Sequence, residues 1–398
     1  MSLKWTILSA ALASALIISG CSKDSASSNE EKPAAEEKAG KEEQVKSDTD
    51  KQAEMEPEAL VASYKEAVAE LDKAKEDKEV DFAKVEEIYI SDLQPLVKKR
   101  DEEFGEQVDQ TLTAALAAGK NEEMNPVVVR QLFDKLMQKE FFQTVRHEFA
   151  EIDENWGNKE EVTEEYEEAM TFYSVLEGTV EKRDAAYESN MQEVISGGFS
   201  EIQSAIENDD KLAFSLGKQV VDKTLMKTFY YAVGAVPNGY ATKASESAKT
   251  DETEAMIQQS EGWAFYQSVY PYLQKNAPEE ADYILGQLDL QTDAKNIDAY
   301  KINRAFVRGF GKIALHEYEE SKEAFGEEKG TVTAIEGALF INMIENDIKE
   351  ILGEEETAKL TENANSYLEA AKAGNKEEAD KYLPLLEESL NNLIQKAQ

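Results

Sequence analysis

The sequence is poor in the residues that most often carry catalysis or crosslinks. It has one cysteine and two histidines among 398 residues. An internal disulfide framework and a Cys-rich zinc site are therefore excluded, and any Ser-His-Asp centre would have to use one of those two histidines. Basic residues are also scarce, because 43 Lys and Arg stand against 82 Asp and Glu, a net charge of −39. This charge excludes nucleic-acid binding, since phosphate neutralisation needs a basic surface.

The N-terminus carries an apolar run, and no second one follows it. Lys4 precedes the run from Ile7 to Ile18, which has the length of a signal-peptide core and is too short to span a bilayer as a helix. The run leads into the sequence ISGC, which ends at Cys21 and resembles the lipobox of bacterial lipoproteins. The resemblance implies that residues 1–20 are a lipoprotein signal peptide and that Cys21 carries the lipid. The alternative is a soluble secreted protein with an unmodified cysteine.

The segment after Cys21 is too polar to fold. Residues 22–57 consist mainly of Ser, Ala, Lys, Glu and Asp without an aromatic residue, so they cannot bury enough surface to offset the entropy of ordering. We interpret residues 21–57 as the lipidated cysteine and a disordered acidic tether, although the charge could also serve a binding tail. The expected location is the outer face of the cell membrane, with the lipid as the contact to that membrane.

The rest of the chain predicts helix throughout. Apolar residues recur at spacings of three and four, Gly and Pro are sparse, and no alternating β pattern of useful length occurs. The predicted fold class is all-α, with most helices fifteen to twenty-five residues long. We assign residues 58–353 to a helical repeat domain and residues 354–398 to a C-terminal helix pair.

A first motif occurs three times without gaps. The copies begin at Asp134, Asp222 and Asn303, at offsets of 88 and 81 residues. Each has a basic pair at i and i+4, followed two residues later by a phenylalanine; the three sets are Lys135, Lys139 and Phe141, then Lys223, Lys227 and Phe229, then Arg304, Arg308 and Phe310. We interpret the motif as the first helix of a repeating unit.

A second motif follows each first one. Its copies begin at Glu168, Glu261 and Glu336, and each has a phenylalanine four residues later. A partial copy precedes them, since LVKKRDEEF from Leu96 matches TVEKRDAAY from Thr179 at an offset of 83. The prediction is stacked antiparallel helix hairpins in about three and a half imperfect repeats, arranged as a helical array or as paired bundles. The repeated Phe and Tyr residues are expected in the core rather than in a cofactor box.

Both histidines occupy the same position of the repeat. They begin the sequences HEFAE and HEYEE, so each histidine has a glutamate at i+4 on the same helix face. An antiparallel hairpin could bring the leading glutamate of the second motif alongside. One imidazole and two or three carboxylates suit Fe²⁺, Fe³⁺, Mn²⁺ or Zn²⁺. The candidate metal ligands are His147, Glu151, Glu168, His316, Glu320 and Glu336.

A structural role for the same residues stays open. A histidine followed by glutamate can serve as a helix-terminal dipole and capping arrangement. The leading glutamate of the second motif can pair with the basic pair of its own repeat, for example Lys135 and Lys139. The middle unit has Ala235 at the histidine position, which fits either interpretation.

The segments KTLMKTFYY, HEYEE and EGALF are similar to extracytoplasmic helical regions that accompany bacterial members of the high-affinity iron permease family. The resemblance covers about residues 80 to 355. It implies an iron-acquisition context, iron as the bound metal, an iron permease or oxidase as partner, and the six residues above as the positions to test. The chain has no permease helices and no REGLE-type motif, so the resemblance does not imply transport by this chain.

Two classes of function follow. The first is a cell-surface lipoprotein that binds a transition metal, with iron expected, and serves as an accessory to a membrane iron-uptake system. The second is a protein-interaction scaffold or folding helper without metal, which would be favoured if the His-Glu positions are exposed and far from Glu168 and Glu336. An enzyme is not expected, since no Gly-rich nucleophile turn is visible and HEFAE lacks the second histidine of a zincin.

Overall fold

A computed structural model describes residues 55–398, and residues Glu54–Gln398 form one compact unit. The predicted signal peptide, Cys21 and nearly all of the predicted tether lie outside the described residues. Between residues 55 and 398 the chain forms helices and no strand, which confirms the predicted all-α fold of packed helix hairpins. In this range no helix is long and apolar enough to cross a membrane.

The helices follow one another with short connections. The N-terminal part contains α1 (Pro57–Leu71), a 3₁₀ turn (Asp72–Glu76), α2 (Phe82–Ile88), a π-helical segment (Tyr89–Leu93), α3 (Gln94–Phe104) and α4 (Val108–Lys120). The next part contains α5 (Pro126–Glu154), α6 (Lys159–Tyr173), α7 (Glu177–Tyr187) and α8 (Met191–Asn208). Then follow α9 (Lys211–Val233), α10 (Tyr240–Ser247), α11 (Glu252–Tyr266), α12 (Tyr270–Asn276) and α13 (Pro278–Leu288). The chain ends with a 3₁₀ turn (Ala294–Asn296), α14 (Ala299–Glu323), α15 (Glu328–Met343), α16 (Glu345–Leu352), α17 (Glu354–Lys372) and α18 (Lys376–Lys396).

The first motif lies on the long helices α5, α9 and α14, and each of these begins at a side-chain cap. The side chains of Asn125, Asp210 and Asp298 accept a backbone N–H of the first turn. Such a cap satisfies one of the amides that a helix start leaves unpaired. The caps explain why the long helices begin where they do.

The repeated phenylalanines join the two helices of each hairpin. Phe141 stacks on Phe172 with ring centroids 5.8 Å apart, and Phe310 stacks on Phe340 at 5.9 Å. In the middle unit the rings of Phe229 and Phe265 are also 5.9 Å apart. All six rings are buried, which confirms that these residues form core.

The second motif crosses a helix break that periodicity did not predict. α6 ends at Tyr173 and α7 begins at Glu177, and between them the amides of Val175 and Leu176 bond to carbonyls three residues back. The corresponding breaks separate α11 from α12 and α15 from α16. A tight turn of this kind keeps apolar residues at a spacing of three. The sequence pattern therefore predicts one helix where the chain forms two.

The 83-residue repeat in the sequence is also a repeat in the structure. α7 begins and ends 83 residues after α3. Asp101 of α3 and Asp184 of α7 each bind the first amides of the helix that follows. Asp101 accepts the amides of Val108 and Asp109, while Asp184 accepts those of Met191 and Gln192. Each aspartate therefore fixes the start of the following helix. The number of repeats and the division at residue 354 stay predictions; α17 packs on α15 and α18 on α14.

Candidate functional site

The histidines lie on the sides of their helices that face partly outward. The His147 side chain is 29 % exposed; its Nδ1 lies 3.1 Å from Glu103 of α3, and its Nε2 lies 3.9 Å from Glu151. The His316 side chain is 52 % exposed, and its Nε2 lies 3.5 Å from Glu320. Both i, i+4 pairs therefore form, as the spacing predicts.

The leading glutamates of the second motif lie with other residues. Two groups of three or more candidate ligands, with donor atoms all within 4.8 Å of one another, occur among residues 55–398, and neither group contains a histidine. Glu168 belongs to one of these groups, whereas Glu336 pairs with Lys223. Glu320 lies 3.0 Å from Lys329. Each histidine thus lies beside its i+4 glutamate. The expected third ligands, Glu168 and Glu336, lie with other residues instead.

Glu168 converges with two glutamates that sequence reasoning missed. Glu148 projects from α5, and Glu165 and Glu168 project from α6; one carboxylate oxygen of each lies within 4.8 Å of the other two. Glu148 is only 4 % exposed. We call Glu148, Glu165 and Glu168 the triglutamate cluster. No Lys, Arg or His within the described range lies within 4.0 Å of these three carboxylates.

The electrostatics of the triglutamate cluster favour the neutral form of Glu148 and of Glu168. Burial and the neighbouring Glu165 raise the pKa of Glu148 far above its ordinary value. Burial, followed by the charges of Glu165 and Glu164, raises the pKa of Glu168 to about 7. Three carboxylates so close cannot all ionise without a compensating cation. The charge of Arg100 acts on Glu148 in the opposite direction but does not outweigh burial. Protons on Glu148 and Glu168, or a bound cation, would relieve the repulsion among these carboxyls.

The third unit contains the same glutamate pair with a lysine added. Glu317 of α14 stands at the repeat position of Glu148, and Glu336 of α15 at that of Glu168. Glu336 lies 3.0 Å from the ammonium of Lys223, and Glu317 accepts a hydrogen bond from Tyr272. Burial disfavours the ammonium, but the charges of Asp222 and Glu336 outweigh it and raise the pKa of Lys223. Here the protein supplies a cation itself, although burial and the charge of Glu336 still raise the pKa of Glu317 to about 7.

The middle unit is also neutralised by a lysine. Glu261 of α11 lies 3.6 Å from Lys135 of α5, the helix that precedes it by one unit. Lys135 therefore pairs with the leading glutamate of the following unit, as Lys223 does, and not with that of its own repeat. Leading glutamates and first-motif lysines thus form ion pairs between successive units.

The triglutamate cluster lies where this lysine is missing. α6 contacts α1, although less extensively than α11 contacts α5 or α15 contacts α9. Instead of a lysine, Glu56 and Glu58 at the start of α1 act on Glu168, and their charges raise its pKa further. The first unit therefore has glutamates near this position, where the other two units have a lysine.

The burial of Glu148 follows from helical phase. Val145, Phe149 and Ile152 are buried on α5, and Glu148 lies on the same stripe at spacings of three and four. On α14 the buried residues Ile313, Ala314, Tyr318 and Ser321 surround Glu317 in the same way. A charged residue on an apolar stripe was the signal that could have identified both glutamates.

The second group of close carboxylates is paired with one ammonium of the protein, although burial still raises the pKa of Glu140 to about 7. It comprises Asp101, Glu106 and Glu140. The Lys139 ammonium forms ion pairs with Glu106 and Glu140, and Asp101 caps α4. This group therefore has partners that the triglutamate cluster lacks.

No family model matches the chain, and neither a curated protein nor a solved structure matches it significantly. Similarity therefore assigns no role to the triglutamate cluster. Its chemistry has to be argued from the donor atoms and the charges around them.

Proposed function

We propose that this protein binds a metal cation through the triglutamate cluster and belongs to a metal-acquisition system at the outer face of the membrane. The observation that carries the proposal is the contrast between units. In two units the leading glutamate pairs with Lys135 or Lys223, whereas among residues 55–398 Glu168 has no lysine partner. A bound cation would supply the missing positive charge.

The donor set is oxygen only, which suits hard cations. Carboxylates favour Mg²⁺, Ca²⁺ and Mn²⁺, and helical proteins also use glutamates from facing helices to hold iron. Among these metals we propose iron, because the resemblance to regions that accompany iron permeases implies an iron-acquisition context. The proposed partner is an iron permease or oxidase in the same membrane, and lipidation at Cys21 would hold the protein beside it.

Metal binding would displace protons from the triglutamate cluster. Because the pKa values of Glu148 and Glu168 are raised, their carboxyls hold protons near neutral pH, and ligation requires the carboxylate form. Affinity should rise with pH through the range around 7. A lowered pH at the receiving partner would favour release of the metal.

Titration calorimetry with matched variants tests the proposal. Metal-free full-length protein is titrated with Fe²⁺ under anaerobic conditions and with Mn²⁺, Ca²⁺ and Zn²⁺ as competitors. Glu148→Gln should weaken saturable binding at least tenfold, because it removes a buried ligand. Glu317→Gln is the matched control at the equivalent position and should leave affinity within about twofold. Absence of saturable binding to the wild type, or equal losses in both variants, would refute the metal function.

The exposure of His316 favours the second candidate, a protein-interaction scaffold without metal. Its imidazole is half exposed, and within the described part of the chain its ion-pair partner is Glu320, as expected of a surface residue. If the protein takes up no metal, the proton-sharing triglutamate cluster would be structural, and the repeats would serve as a binding surface for another protein.

A further inference from the structure

An open cleft lies between the long helices α5 and α9. The two helices make few contacts with each other, which leaves a space of about 550 Å³ between them. This volume is within the range of small-molecule sites, about 300–1,000 Å³. Phe149 and Ala150 of α5 and Tyr272 of α12 give the cleft part of its carbon surface, and the triglutamate cluster does not line it.

The lining of the cleft is richer in cations than the rest of the chain. In the whole sequence acidic residues outnumber basic ones by 82 to 43. In the cleft four cations stand against three carboxylates, namely Arg146, Lys211, Lys218 and Lys223 against Asp153, Glu154 and Asp222. A cleft concentrates the field of the charges that line it. This cleft therefore favours an anion more than the surrounding acidic surface does.

Two lysines of α9 and one aspartate of α5 form the first cationic centre of the cleft. Asp153 lies 2.8 Å from the ammonium of Lys211 and 3.2 Å from that of Lys218. Burial disfavours the carboxylate of Asp153, but the two lysines outweigh it and lower its pKa. The Lys211 and Lys218 side chains remain 43 % and 22 % exposed. This centre therefore has two reachable ammonium groups for one carboxylate.

The second centre contains Arg146 of α5, whose Nε donates to Asp222 of α9 at 2.6 Å. The ammonium of Lys223 lies 2.8 Å from the same carboxylate and is shared with Glu336. Burial disfavours ionised Asp222, but the charges of Arg146 and Lys223 outweigh it and lower its pKa. Because Lys223 is shared by two carboxylates, the group left for a ligand at this centre is Arg146.

The guanidinium of Arg146 keeps donors that a ligand can reach. Among residues 55–398 its Nε forms the one hydrogen bond of this side chain, and its two Nη atoms retain accessible surface. The guanidinium carbon lies 4.1 Å from the ring centroid of Phe142, a contact that holds the group in place. A guanidinium held in this way presents N–H groups to a carboxylate in a fixed geometry.

We propose that the cleft binds a small organic polycarboxylate, with one carboxylate at the Nη groups of Arg146 and another at Lys211 and Lys218. Asp153, which marks the lysine centre, lies seven residues after Arg146, about 10 Å along the axis of α5. A monocarboxylate or an inorganic phosphate reaches only one of the two centres. An organic anion with two or three carboxylates can contact both, while its carbon chain lies against the carbon surface of the cleft.

Titration calorimetry with defined anions tests the proposal. Metal-free full-length protein is titrated with citrate, succinate and adipate, and with acetate and inorganic phosphate as anions that reach one centre. At least one polycarboxylate should bind saturably and at least tenfold more tightly than acetate or phosphate. Lys211→Ala/Lys218→Ala and Arg146→Gln should each weaken this binding at least tenfold, because each removes one centre.

A charge added to the cleft tests the same site without removing an ion pair. Ala150 is exposed and lines the cleft, so Ala150→Glu places a carboxylate beside the bound anion and should weaken binding at least tenfold. Ala114→Glu makes the same change at an exposed position of α4 and should leave affinity within about twofold.

Two further controls exclude general effects. Lys359→Ala/Lys372→Ala removes two lysines from the exposed surface of α17 and should leave affinity for the polycarboxylate within about twofold. Glu148→Gln should do the same, which separates this site from the metal proposal. No saturable binding of any of the three polycarboxylates, equally tight binding of acetate or phosphate, or equal losses in the cleft variants and their controls would overturn the proposal.

Discussion

Lys223 of α9 lies 3.0 Å from Glu336 of α15, with both side chains largely buried in the contact between these helices. The same relationship joins Lys135 to Glu261 one unit earlier. These ion pairs connect successive units, and the triglutamate cluster is the place where the series has no lysine.

Removing Lys223 should be strongly destabilising. Lys223→Met leaves Glu336 buried without its ammonium, while Asp222 keeps Arg146 as a partner. We therefore expect the free energy of unfolding to fall by about 3–5 kcal/mol. Urea unfolding at pH 7 measures this. The surface variant Lys359→Met should change it by less than about 0.5 kcal/mol. A loss below about 1 kcal/mol for Lys223→Met would show that the Lys223–Glu336 ion pair contributes little to the stability of this helix contact.

The metal-free protein should lose stability as the pH rises. The unfolded glutamates titrate near pH 4.3, whereas in the folded protein the pKa of Glu168 is about 7 and that of Glu148 is also raised. Their contribution is therefore fully present below about pH 4.3 and is lost as the pH rises through the folded pKa values.

The Glu148→Gln/Glu168→Gln variant should lose the part of this pH dependence that these two carboxyls contribute. Glu140 and Glu317, whose pKa values are also raised to about 7, should keep their part in both proteins. Between pH 5 and 8 the wild type should lose about 1–3 kcal/mol relative to the variant, after allowance for solvent screening. Saturating metal should remove the difference. Parallel pH profiles of the two metal-free proteins would contradict the assignment of raised pKa values to these carboxyls.

A positive charge on α1 should compete with the metal. Glu58 is exposed and its charge acts on Glu168, so Glu58→Lys should lower the pKa of Glu168 and weaken metal binding about two- to fivefold. Glu388→Lys makes the same charge change on α18 and should have no effect. Tighter binding by Glu58→Lys would be inconsistent with a cation in the triglutamate cluster.

Asp101 near the end of α3 and Asp184 near the end of α7 should contribute equally to stability. Each accepts two amides at the start of the next helix, so Asp101→Ala and Asp184→Ala should each cost about 1–2 kcal/mol. Their effects should add within about 0.5 kcal/mol in the double variant, as for separate sites. Chemical denaturation of the three variants checks this, and a neutral Asp184→Ala would argue against an equivalent role.

Most of the fold could be predicted from the sequence because its signals are local. Helical periodicity identified the all-α class, and the repeated phenylalanines identified the hairpin contacts. The break between Tyr173 and Glu177 could not be predicted, because a 3₁₀ turn keeps an apolar spacing of three.

The candidate site was predicted only in part. The i, i+4 spacing correctly placed His147 beside Glu151, but it did not show which face of α5 is buried. That face carries Glu148, one residue and about 100° further round the helix. Its partner Glu165 follows no repeated pattern, since Gln258 and Thr333 occupy the equivalent positions.

The histidine variants separate the two ligand sets. If the triglutamate cluster binds the metal, His147→Ala and His316→Ala should leave metal affinity within about twofold, because neither imidazole lies in a three-ligand group. Losses of tenfold or more in both would instead support the ligands predicted from the sequence. Anaerobic Fe²⁺ titration of the two variants beside Glu148→Gln makes the comparison.

Anomalous diffraction from crystals grown with Mn²⁺ or Fe²⁺ tests the central claim most directly. Data collected on both sides of the metal edge locate the ion without reference to activity. We expect one strong peak within about 2.0–2.3 Å of carboxylate oxygens of Glu148, Glu165 and Glu168, and no peak between Glu317 and Glu336. A peak at His147 and Glu151 instead, or no peak at the triglutamate cluster at saturating metal, would contradict it.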